Sequence, residues 1–395
     1  MPDVELPFSR NEYATRLAKV RKGMEARGIE TLVVSDPSNM AWLTGYDGWS
    51  FYVHQAVIVG PSGDPVFWGR AMDANGALRT CYMDTDNIIG YPDHFVMAED
   101  RHAMQHLAGV LRERDWIENI GVEMENYYYS ARAHQVLSEE LGALKDATGT
   151  VNWERAVKSE AEITYIRRAA RIVEKMHAHI LEIVEPGKRK NEVAAEIFKT
   201  GVWGAEDADG PFGGDYPAIV PLMPSGEDAS AAHLTWSDKP FVQGEGTFFE
   251  IAGVYRRYHC PMSRTIFLGT PPDDLIEAEK AIIEGIEAGI EAARPGNTAG
   301  EVAQAFYTVL GKYGIHRDGR CGYPIGLSYP PDWGERTYSI RPTDRTVLAP
   351  GMTFHFMPGL WQKTWGLEIT ETLLINDTGP AEVLANYPRK LFVKR

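Results

Sequence analysis

One carboxylate, Glu250, interrupts an otherwise apolar strand pattern that reads GTFFEIAG. An acid in such surroundings can hold a cation, attack an electrophilic carbon or accept a proton. A lone histidine, His233, stands in the polar stretch ASAAHLTW and can carry protons near neutral pH. Each residue also has a structural alternative. His233 can be an ordinary surface or core histidine, and Glu250 can be a buried carboxylate paired with Arg256, Arg257 or Arg264.

Several aromatic residues could form a box around a cationic ligand. Cation–π contacts contribute about 0.5–2 kcal/mol each when the pair is desolvated. Packing in the core or at a subunit interface is the alternative for each ring. Glu368 and His355, both in predicted strands, are further candidates for binding substrate, and together with Glu371 they are candidates for orienting the proton carrier or the leaving nitrogen. The aromatic candidates are Trp49, Phe51, Tyr52, Tyr323, Trp333, Trp361 and Trp365.

The first part of the chain alternates helices and strands. A capping box formed by Ser9 and Glu12 opens a helix predicted over residues 9–27. TLVVSDP and AVIVGPSGDPVFW then predict buried strands joined by turns, and the alternation continues to about residue 150. We therefore assign residues 1–155 to a small α/β domain.

The rest of the chain, residues 156–395, contains an internal repeat. EPGKRKNEVAAEIF at 185–198 and RPGNTAGEVAQAFY at 294–307 share PG, four residues and EVA. An amphipathic helix precedes each copy and a β-rich stretch follows it. Chance recurrence through ordinary helix punctuation is the alternative. A duplicated αβ module predicts a mixed α/β (α+β) fold with pseudo-twofold halves and a pocket between them.

The composition of the 395 residues is that of a globular protein, with 44% hydrophobic and 24% charged residues. A formal net charge of -15 and the lack of a basic run argue against nucleic acid as a partner. The polar N-terminus and the lack of a long apolar stretch argue against secretion and membrane insertion, and we expect a cytoplasmic protein. Cys81, Cys260 and Cys321 lack the spacing of a zinc site or a disulfide framework.

Seven stretches, taken in order, resemble the creatinase/prolidase superfamily, whose pita-bread fold is shared with methionine aminopeptidases. Each stretch is weak alone, and their common order makes the resemblance specific. It implies that 1–155 is a creatinase-like N-terminal domain and 156–395 a pita-bread catalytic domain. The stretches are DPSNMAWLTGY, VKSEAEI, PSGEDASAAHLTW, RYHCPMSRT, GYPIGL, PGMTFHFMPG and GLEITET.

In the metallopeptidase members of this superfamily five residues bind two metal ions. The resemblance carries those positions onto Glu250, Pro261, Tyr323, Met357 and Thr370. Of these, only the glutamate offers a ligand suited to hard or borderline divalent ions, so the resemblance implies neither a metal nor another cofactor. A site rebuilt from Glu368, Glu371, His259 and His355 is the alternative, disfavoured because adjacent strand positions point to opposite faces.

A metal-independent branch of the superfamily hydrolyses C–N bonds in small amidinium or guanidinium zwitterions. This chain is similar to the ectoine-hydrolysing members in length, in its Glu250 and Pro261 pair and in WSFYVHQ near the N-terminus. An amidinium carbon is already electrophilic, so it needs less help from a metal. The resemblance implies that Glu250 is the nucleophile or anion partner and that His233, which matches the creatinase acid/base, carries protons. It also implies a homodimer in which Trp49 or Tyr52 reaches the pocket of the other copy.

The substrate implied by this resemblance is ectoine, whose cyclic amidine would open to N-acetyl-2,4-diaminobutyrate in the catabolism of that osmolyte. Four other functions stay open from the residues: a creatinase-type amidinohydrolase, a metal-dependent Xaa-Pro peptidase-like enzyme, a lyase acting on another zwitterion, and a non-catalytic binding module. The short chain after the last predicted strand favours an enzyme over a binding module, since such modules tend to carry long acidic tails.

Overall fold

The computed structural model describes residues 4–395, which form two compact units, one up to Arg155 and the other from Ala156 to Arg395. Both units combine helices with a sheet, so the mixed α/β class predicted from the sequence is confirmed. Among the described residues, no helix has the length and apolar character needed to cross a membrane.

The first unit is organised around one six-stranded sheet, ordered β4-β3-β2-β1-β5-β6. Its central strand β1 pairs antiparallel with β2 and parallel with β5. The predicted first helix begins at Arg10, where the Ser9 side chain accepts a hydrogen bond from the Glu12 backbone N–H. The strands are β1 (Thr31–Val34), β2 (Ala56–Val59), β3 (Val66–Arg70), β4 (Ile88–Tyr91), β5 (Ile120–Val122) and β6 (Lys145–Asp146). The helices are α1 (Arg10–Ala26), α2 (Pro37–Thr44), α3 (Ala71–Thr80), α4 (Ala103–Glu113), α5 (Ala131–Leu141) and α6 (Asn152–Arg155).

The second unit holds four longer helices and several smaller sheets. A three-stranded sheet has the order β17-β10-β9, and a four-stranded sheet has the order β11-β12-β15-β16. The helices are α7 (Glu160–Ile183), α8 (Lys190–Trp203), α9 (Asp273–Ala292) and α10 (Ala299–Lys312). The first strands are β7 (Ala205–Asp207), β8 (Gly210–Phe212), β9 (Gly246–Tyr255), β10 (Tyr258–Leu268), β11 (Gly322–Pro324) and β12 (Thr353–Phe356). The last are β13 (Gly359–Trp361), β14 (Gly366–Glu368), β15 (Glu371–Leu374), β16 (Glu382–Val383) and β17 (Phe392–Lys394).

The internal repeat is visible in the structure of the second unit. Helices α8 and α10, one from each copy, have 14 residues each. The PG turns before them place Gly187 at φ 89° and Gly296 at φ 92°, a left-handed conformation that favours glycine. Each glycine N–H donates to a carbonyl further along its own copy, Gly187 to Phe241 and Gly296 to Leu348. The two copies therefore share the helix after the turn, the turn itself and the backbone hydrogen bond that holds the turn glycine.

The longest hairpin, β9 and β10, positions Glu250. Tyr255 pairs with Tyr258, so Arg256 and Arg257 form a two-residue turn, with φ values of 47° and 66°. Positive φ at both turn residues matches the right-handed twist of the paired strands. Glu250 lies directly opposite Ser263 in this ladder. Its other edge pairs with Leu222, through backbone hydrogen bonds in both directions.

Candidate active site

Glu250 is a buried carboxylate in the middle of β9, with 4% of its surface exposed. Burial raises its pKa from the usual 4.5 to about 7, because the charged form loses its hydration. Among residues 4–395, its closest basic group is the Nδ1 atom of His355, 3.9 Å from Oε1. A cation entering this site would therefore stabilise the charged form of this carboxylate.

A chain of hydrogen bonds surrounds this carboxylate and joins side chains that are far apart in sequence. Trp333 Nε1 donates to the Tyr323 hydroxyl at 2.8 Å, and that hydroxyl lies 3.1 Å from His355 Nδ1. His355 Nε2 is 2.7 Å from the Thr370 hydroxyl, which also accepts from the Ser263 backbone N–H. Burial lowers the pKa of His355 to about 3, so the imidazole is neutral and one of its ring nitrogens can accept a hydrogen bond. His355 thus orients its neighbours and has too low a pKa to protonate a leaving group near pH 7.

Glu368 is a second buried carboxylate in the same cluster. Its backbone N–H and C=O both bond the Thr265 hydroxyl, and Trp361 Nε1 donates to its Oε1 at 3.0 Å. Burial and then the charge of Glu250 raise its pKa well above the ordinary value. The nearby Ser263 hydroxyl opposes this rise in the pKa of Glu368, although it completes no hydrogen bond of good geometry. The Oε2 atom of Glu368 is buried and has no hydrogen-bond partner among the described residues. Two such carboxylates favour holding one proton between them.

The structural alternative for Glu250, pairing with a neighbouring arginine, is wrong for Arg264. That guanidinium donates to Glu371 at 2.8 Å and to four backbone carbonyls. Glu371 also bonds Arg389 at 3.0 Å, so this acid is a structural ion-pair partner. Arg257 lies over the Tyr216 ring, 3.7 Å from its centroid, and 3.9 Å from Asp215.

The predicted proton carrier His233 lies in the loop after a short 3-10 helix, Gly226–Ser230, and its side chain is exposed. Backbone hydrogen bonds hold this loop next to Glu250. Leu222 pairs with Glu250, and the N–H of the next residue, Met223, donates to the Leu234 carbonyl in the loop. The structure therefore places the loop backbone near Glu250 while the imidazole faces solvent. Trp49 and Tyr52 belong to the first unit, where 58% and 62% of their surfaces are exposed.

The residues at the family's metal positions do not fit a pair of divalent ions. Tyr323 and Thr370 use their hydroxyls to hold His355, and burial raises the pKa of Tyr323 well above its usual value. Pro261 pairs with Ala252 and has no side-chain ligand, while Met357 offers only a soft thioether. His259, a predicted alternative metal ligand, has both ring nitrogens in hydrogen bonds. Nε2 accepts from the Ala218 N–H, and Nδ1 bonds to the Arg257 carbonyl. Within residues 4–395, no cluster of three or more His, Cys, Asp or Glu side chains could hold a metal ion.

Sequence reasoning missed two members of the cluster. Thr370 entered only as a lost ligand, although its hydroxyl joins His355 to the Ser263 backbone. Ser263 itself was not considered. The hairpin spacing carried that signal, since a two-residue turn at Arg256 and Arg257 places position 263 directly opposite position 250.

The fold and this buried cluster define a pita-bread protein with an N-terminal creatinase-like unit. Residues 164–377 match the metallopeptidase family M24, and residues 16–157 match the creatinase/prolidase N-terminal domain. The chain belongs to this creatinase/prolidase family.

Comparison with known proteins finds an ectoine hydrolase and dipeptidases among the relatives of this chain. It is 60% identical to ectoine hydrolase of Halomonas elongata, over 100% of both chains. It is also 31% identical to a probable dipeptidase PepE of Mycobacterium tuberculosis, over 98% of each. Among solved structures, the dipeptidase PepE of Mycobacterium ulcerans has a TM-score of 0.80 at 24% identity, covering 98% of this chain and 99% of that one. The prolidase of Pyrococcus horikoshii has a TM-score of 0.78 at 21% identity, covering 95% and 99%. These two structures bear on the fold alone.

Proposed function

We propose that this protein hydrolyses the cyclic amidine of ectoine to N-acetyl-2,4-diaminobutyrate without a metal ion. The observation that carries the proposal is the pair of buried carboxylates, Glu250 and Glu368, in a cluster where hydroxyls stand at two former metal positions. An amidinium needs a negative partner and brings its own electrophilic carbon, so it suits such a site. The 60% identity to the Halomonas ectoine hydrolase supports the same substrate.

In the proposed reaction Glu250 attacks the amidinium carbon and forms a C–O bond. One ring C–N bond then breaks, and His233 gives its proton to the departing nitrogen. Water next bonds to the same carbon, returns a proton to His233 and releases the Glu250 carboxylate. The balance is one water added across one C–N bond. The solvent-facing position of His233 suits a group that exchanges protons with water, whereas the buried His355 is held neutral.

A competing route keeps Glu250 as an ion-pair partner while His233 directs water at the amidinium carbon. The two routes differ in whether substrate carbon is ever bonded to the enzyme. Rapid quenching during turnover, followed by peptide mass spectrometry, should find ectoine-derived mass on the peptide that carries Glu250. Glu250→Gln serves as the matched control, since it keeps the shape of the side chain and lacks the nucleophile. Turnover without any adduct would favour the direct route, and near-normal turnover by Glu250→Gln would exclude both.

The experiment that tests the function compares three substrates. EDTA-treated protein is incubated with ectoine, creatine or a Xaa-Pro dipeptide, and products are followed by NMR. We expect ring opening of ectoine at an unchanged rate after chelation, and no reaction with the other two. Peptide cleavage restored by added Mn²⁺ or Zn²⁺ would contradict the proposal, as would ectoine turnover that chelation abolishes reversibly. Solvent oxygen-18 in the product separates hydrolysis from a lyase reaction.

The proposal extends to the assembly and the remaining candidates. The protein is a cytoplasmic homodimer that serves osmolyte catabolism, and Trp49 and Tyr52 contribute aromatic surface for the substrate cation. Tyr323, Trp333 and Trp361 supply rings on the catalytic unit, and Glu368 and His355 orient the substrate.

A further inference from the structure

A cyclic amidinium carboxylate carries a negatively charged group, and the buried cluster around Glu250 offers no positively charged partner for it. Glu250 and Glu368 are acidic, and His355 is neutral because burial lowers its pKa to about 3. A substrate carboxylate brought beside two glutamates needs N–H donors or a cation of its own. The inference below rests on the proposed function, because it concerns how that substrate is held.

One loop brings two guanidinium groups to this cluster. Residues 313–321 connect α10 to β11, and their two arginines each lie against an aromatic member of the site. Arg320 Cζ is 4.5 Å from the centre of the Tyr323 ring, and Arg317 Cζ is 5.3 Å from the centre of the Trp361 ring. Their charges reach the site, since Arg320 helps to lower the pKa of His355 and Arg317 opposes the rise in the pKa of Glu368.

The loop is held in this position by its own hydrogen bonds. Arg317 Nη2 donates to the Arg320 carbonyl at 3.1 Å, and the Tyr307 hydroxyl donates to the Gly319 carbonyl. At the end of the loop, the Met357 N–H donates to the Cys321 carbonyl at 2.8 Å. The two arginines therefore sit on a braced segment that leads directly into the strand carrying Tyr323.

Two guanidinium nitrogens of Arg317 complete no hydrogen bond of good geometry within residues 4–395, although the guanidinium lies close enough to the Tyr307 hydroxyl to oppose the rise that burial causes in its pKa. Its Nε and Nη1 atoms are buried, and neither has a hydrogen-bond acceptor of good geometry among the described residues. A buried donor without an acceptor is destabilising, so such groups usually have a ligand or a structural reason. Each of these two nitrogens can donate a hydrogen bond to a carboxylate oxygen, whereas Nη2 already donates to the Arg320 and Met357 carbonyls.

We propose that Arg317 and Arg320 together bind the carboxylate of the substrate and so select zwitterions over simple amidines. The amidinium end then lies at Glu250 and Glu368 and the carboxylate end at the 313–321 loop. Each end of the substrate then contacts protein groups whose charge is opposite to its own, so the ring is bound in one orientation. This fixes which face of the amidinium carbon meets Glu250.

The test compares ectoine with 2-methyl-1,4,5,6-tetrahydropyrimidine, the same amidine ring without its carboxylate. The quantity measured is the ratio of kcat/KM for ectoine to kcat/KM for this analogue. Arg317→Ala and Arg320→Ala should each lower that ratio about 10- to 100-fold, the range of a lost charge-assisted hydrogen bond. The loss should appear mainly as a higher KM for ectoine. Because both substrates report on the same preparation, a fraction of unfolded enzyme cancels in the ratio.

Arg317→Lys and Arg320→Lys should recover part of the ratio, because lysine keeps the charge and lacks the planar fork. Arg345→Ala, an exposed arginine in a different loop, is the matched control and should leave the ratio unchanged. A ratio that stays at the wild-type value in either alanine variant overturns the two-arginine site while ectoine hydrolysis itself stands. Wild-type protein that does not open ectoine overturns the proposed function instead, and with it the ligand assigned to this loop.

Discussion

His355 Nδ1 lies 3.9 Å from the Glu250 carboxylate, yet the imidazole is neutral and points its hydrogen-bonding edge at Tyr323. A charged histidine at this distance would pair with Glu250 and compete with a cationic substrate. The neutral ring keeps the carboxylate available. The neutral ring therefore leaves Glu250 able to pair with a cation from outside the chain, as the proposed function requires.

The first prediction concerns the pH dependence of activity. Burial raises the pKa of Glu250 to about 7, and below that pH the acid is protonated and cannot attack or pair with a cation. We expect kcat/KM for ectoine to fall about tenfold per pH unit on the acid side of pH 7. A bound cation lowers this pKa, so the fall in kcat should begin at a lower pH. A rate profile that is flat from pH 5 to 8 would contradict the role of Glu250.

The same burial predicts a stabilising substitution. A carboxyl whose pKa rises on folding favours the folded state at low pH and opposes it as the pH rises from 4.5 towards 7. Glu250→Gln removes this cost, so it should stabilise the protein at pH 8 and have little effect near pH 4.5. The gain has an upper bound of about 3 kcal/mol. Urea unfolding at the two pH values measures it, and equal effects at both would show that Glu250 is not desolvated.

Two neighbouring glutamates should respond in opposite ways to the same substitution. Glu371→Gln breaks a buried ion pair with Arg264 and should cost about 3–5 kcal/mol of unfolding free energy. Glu368→Gln removes a buried carboxylate whose Oε2 has no partner among the described residues, so it should keep or raise stability. It should nevertheless reduce kcat/KM for ectoine. Loss of activity in Glu371→Gln at full stability, or loss of stability in Glu368→Gln, would reverse our assignment of the two acids.

Tyr323 tests whether the hydrogen-bond chain matters. Tyr323→Phe leaves the Trp333 indole N–H and His355 Nδ1 without their shared partner, and should cost about 1–3 kcal/mol. Tyr313→Phe, which removes a more exposed hydroxyl bonded to Glu284, is the control and should cost less than about 0.5 kcal/mol. Thermal unfolding of both variants gives the comparison. Equal effects would mean that the buried chain adds no stability of its own.

The homodimer prediction is tested by mixing inactive copies. Trp49→Ala/Tyr52→Ala protein is unfolded and refolded together with Glu250→Gln protein. If each substrate site draws on both copies, mixed dimers contain one intact site and should regain about a quarter of wild-type activity. A mixture of Glu250→Gln and Glu368→Gln should regain none, since both changes affect the same unit. Equal results from the two mixtures would remove Trp49 and Tyr52 from the site.

The sequence predicted the elements more fully than it predicted the site. Capping residues and turn glycines are local signals, so the first helix and both copies of the repeat follow from a few neighbouring residues. The alternative in which Arg264 pairs with Glu250 is wrong, and strand alternation already argues against it. Ser263 lies opposite Glu250, so the next residue, Arg264, must point to the other face of the hairpin.

The contacts within the hydrogen-bonded cluster could not be predicted from local sequence signals. Trp333, Tyr323, His355 and Thr370 come from separate strands and loops, and their contacts depend on how those elements pack. Periodicity gives the face of a residue but not its distance from a partner on another element. The positions of Arg317 and Arg320 depend likewise on the course of a loop.

Pro261 has a consequence for how such a protein can change over generations. It lies within β10 opposite Ala252, and its carbonyl accepts the Thr372 hydroxyl at 2.7 Å. Restoring an aspartate there adds a backbone N–H to a buried strand and supplies one ligand where several are missing. A chain with that one change still has Tyr323, Met357 and Thr370 at the other ligand positions, so it would have no working metal site. Several simultaneous substitutions, and not a change at Pro261 alone, would therefore be needed to turn this carboxylate site into a metal centre.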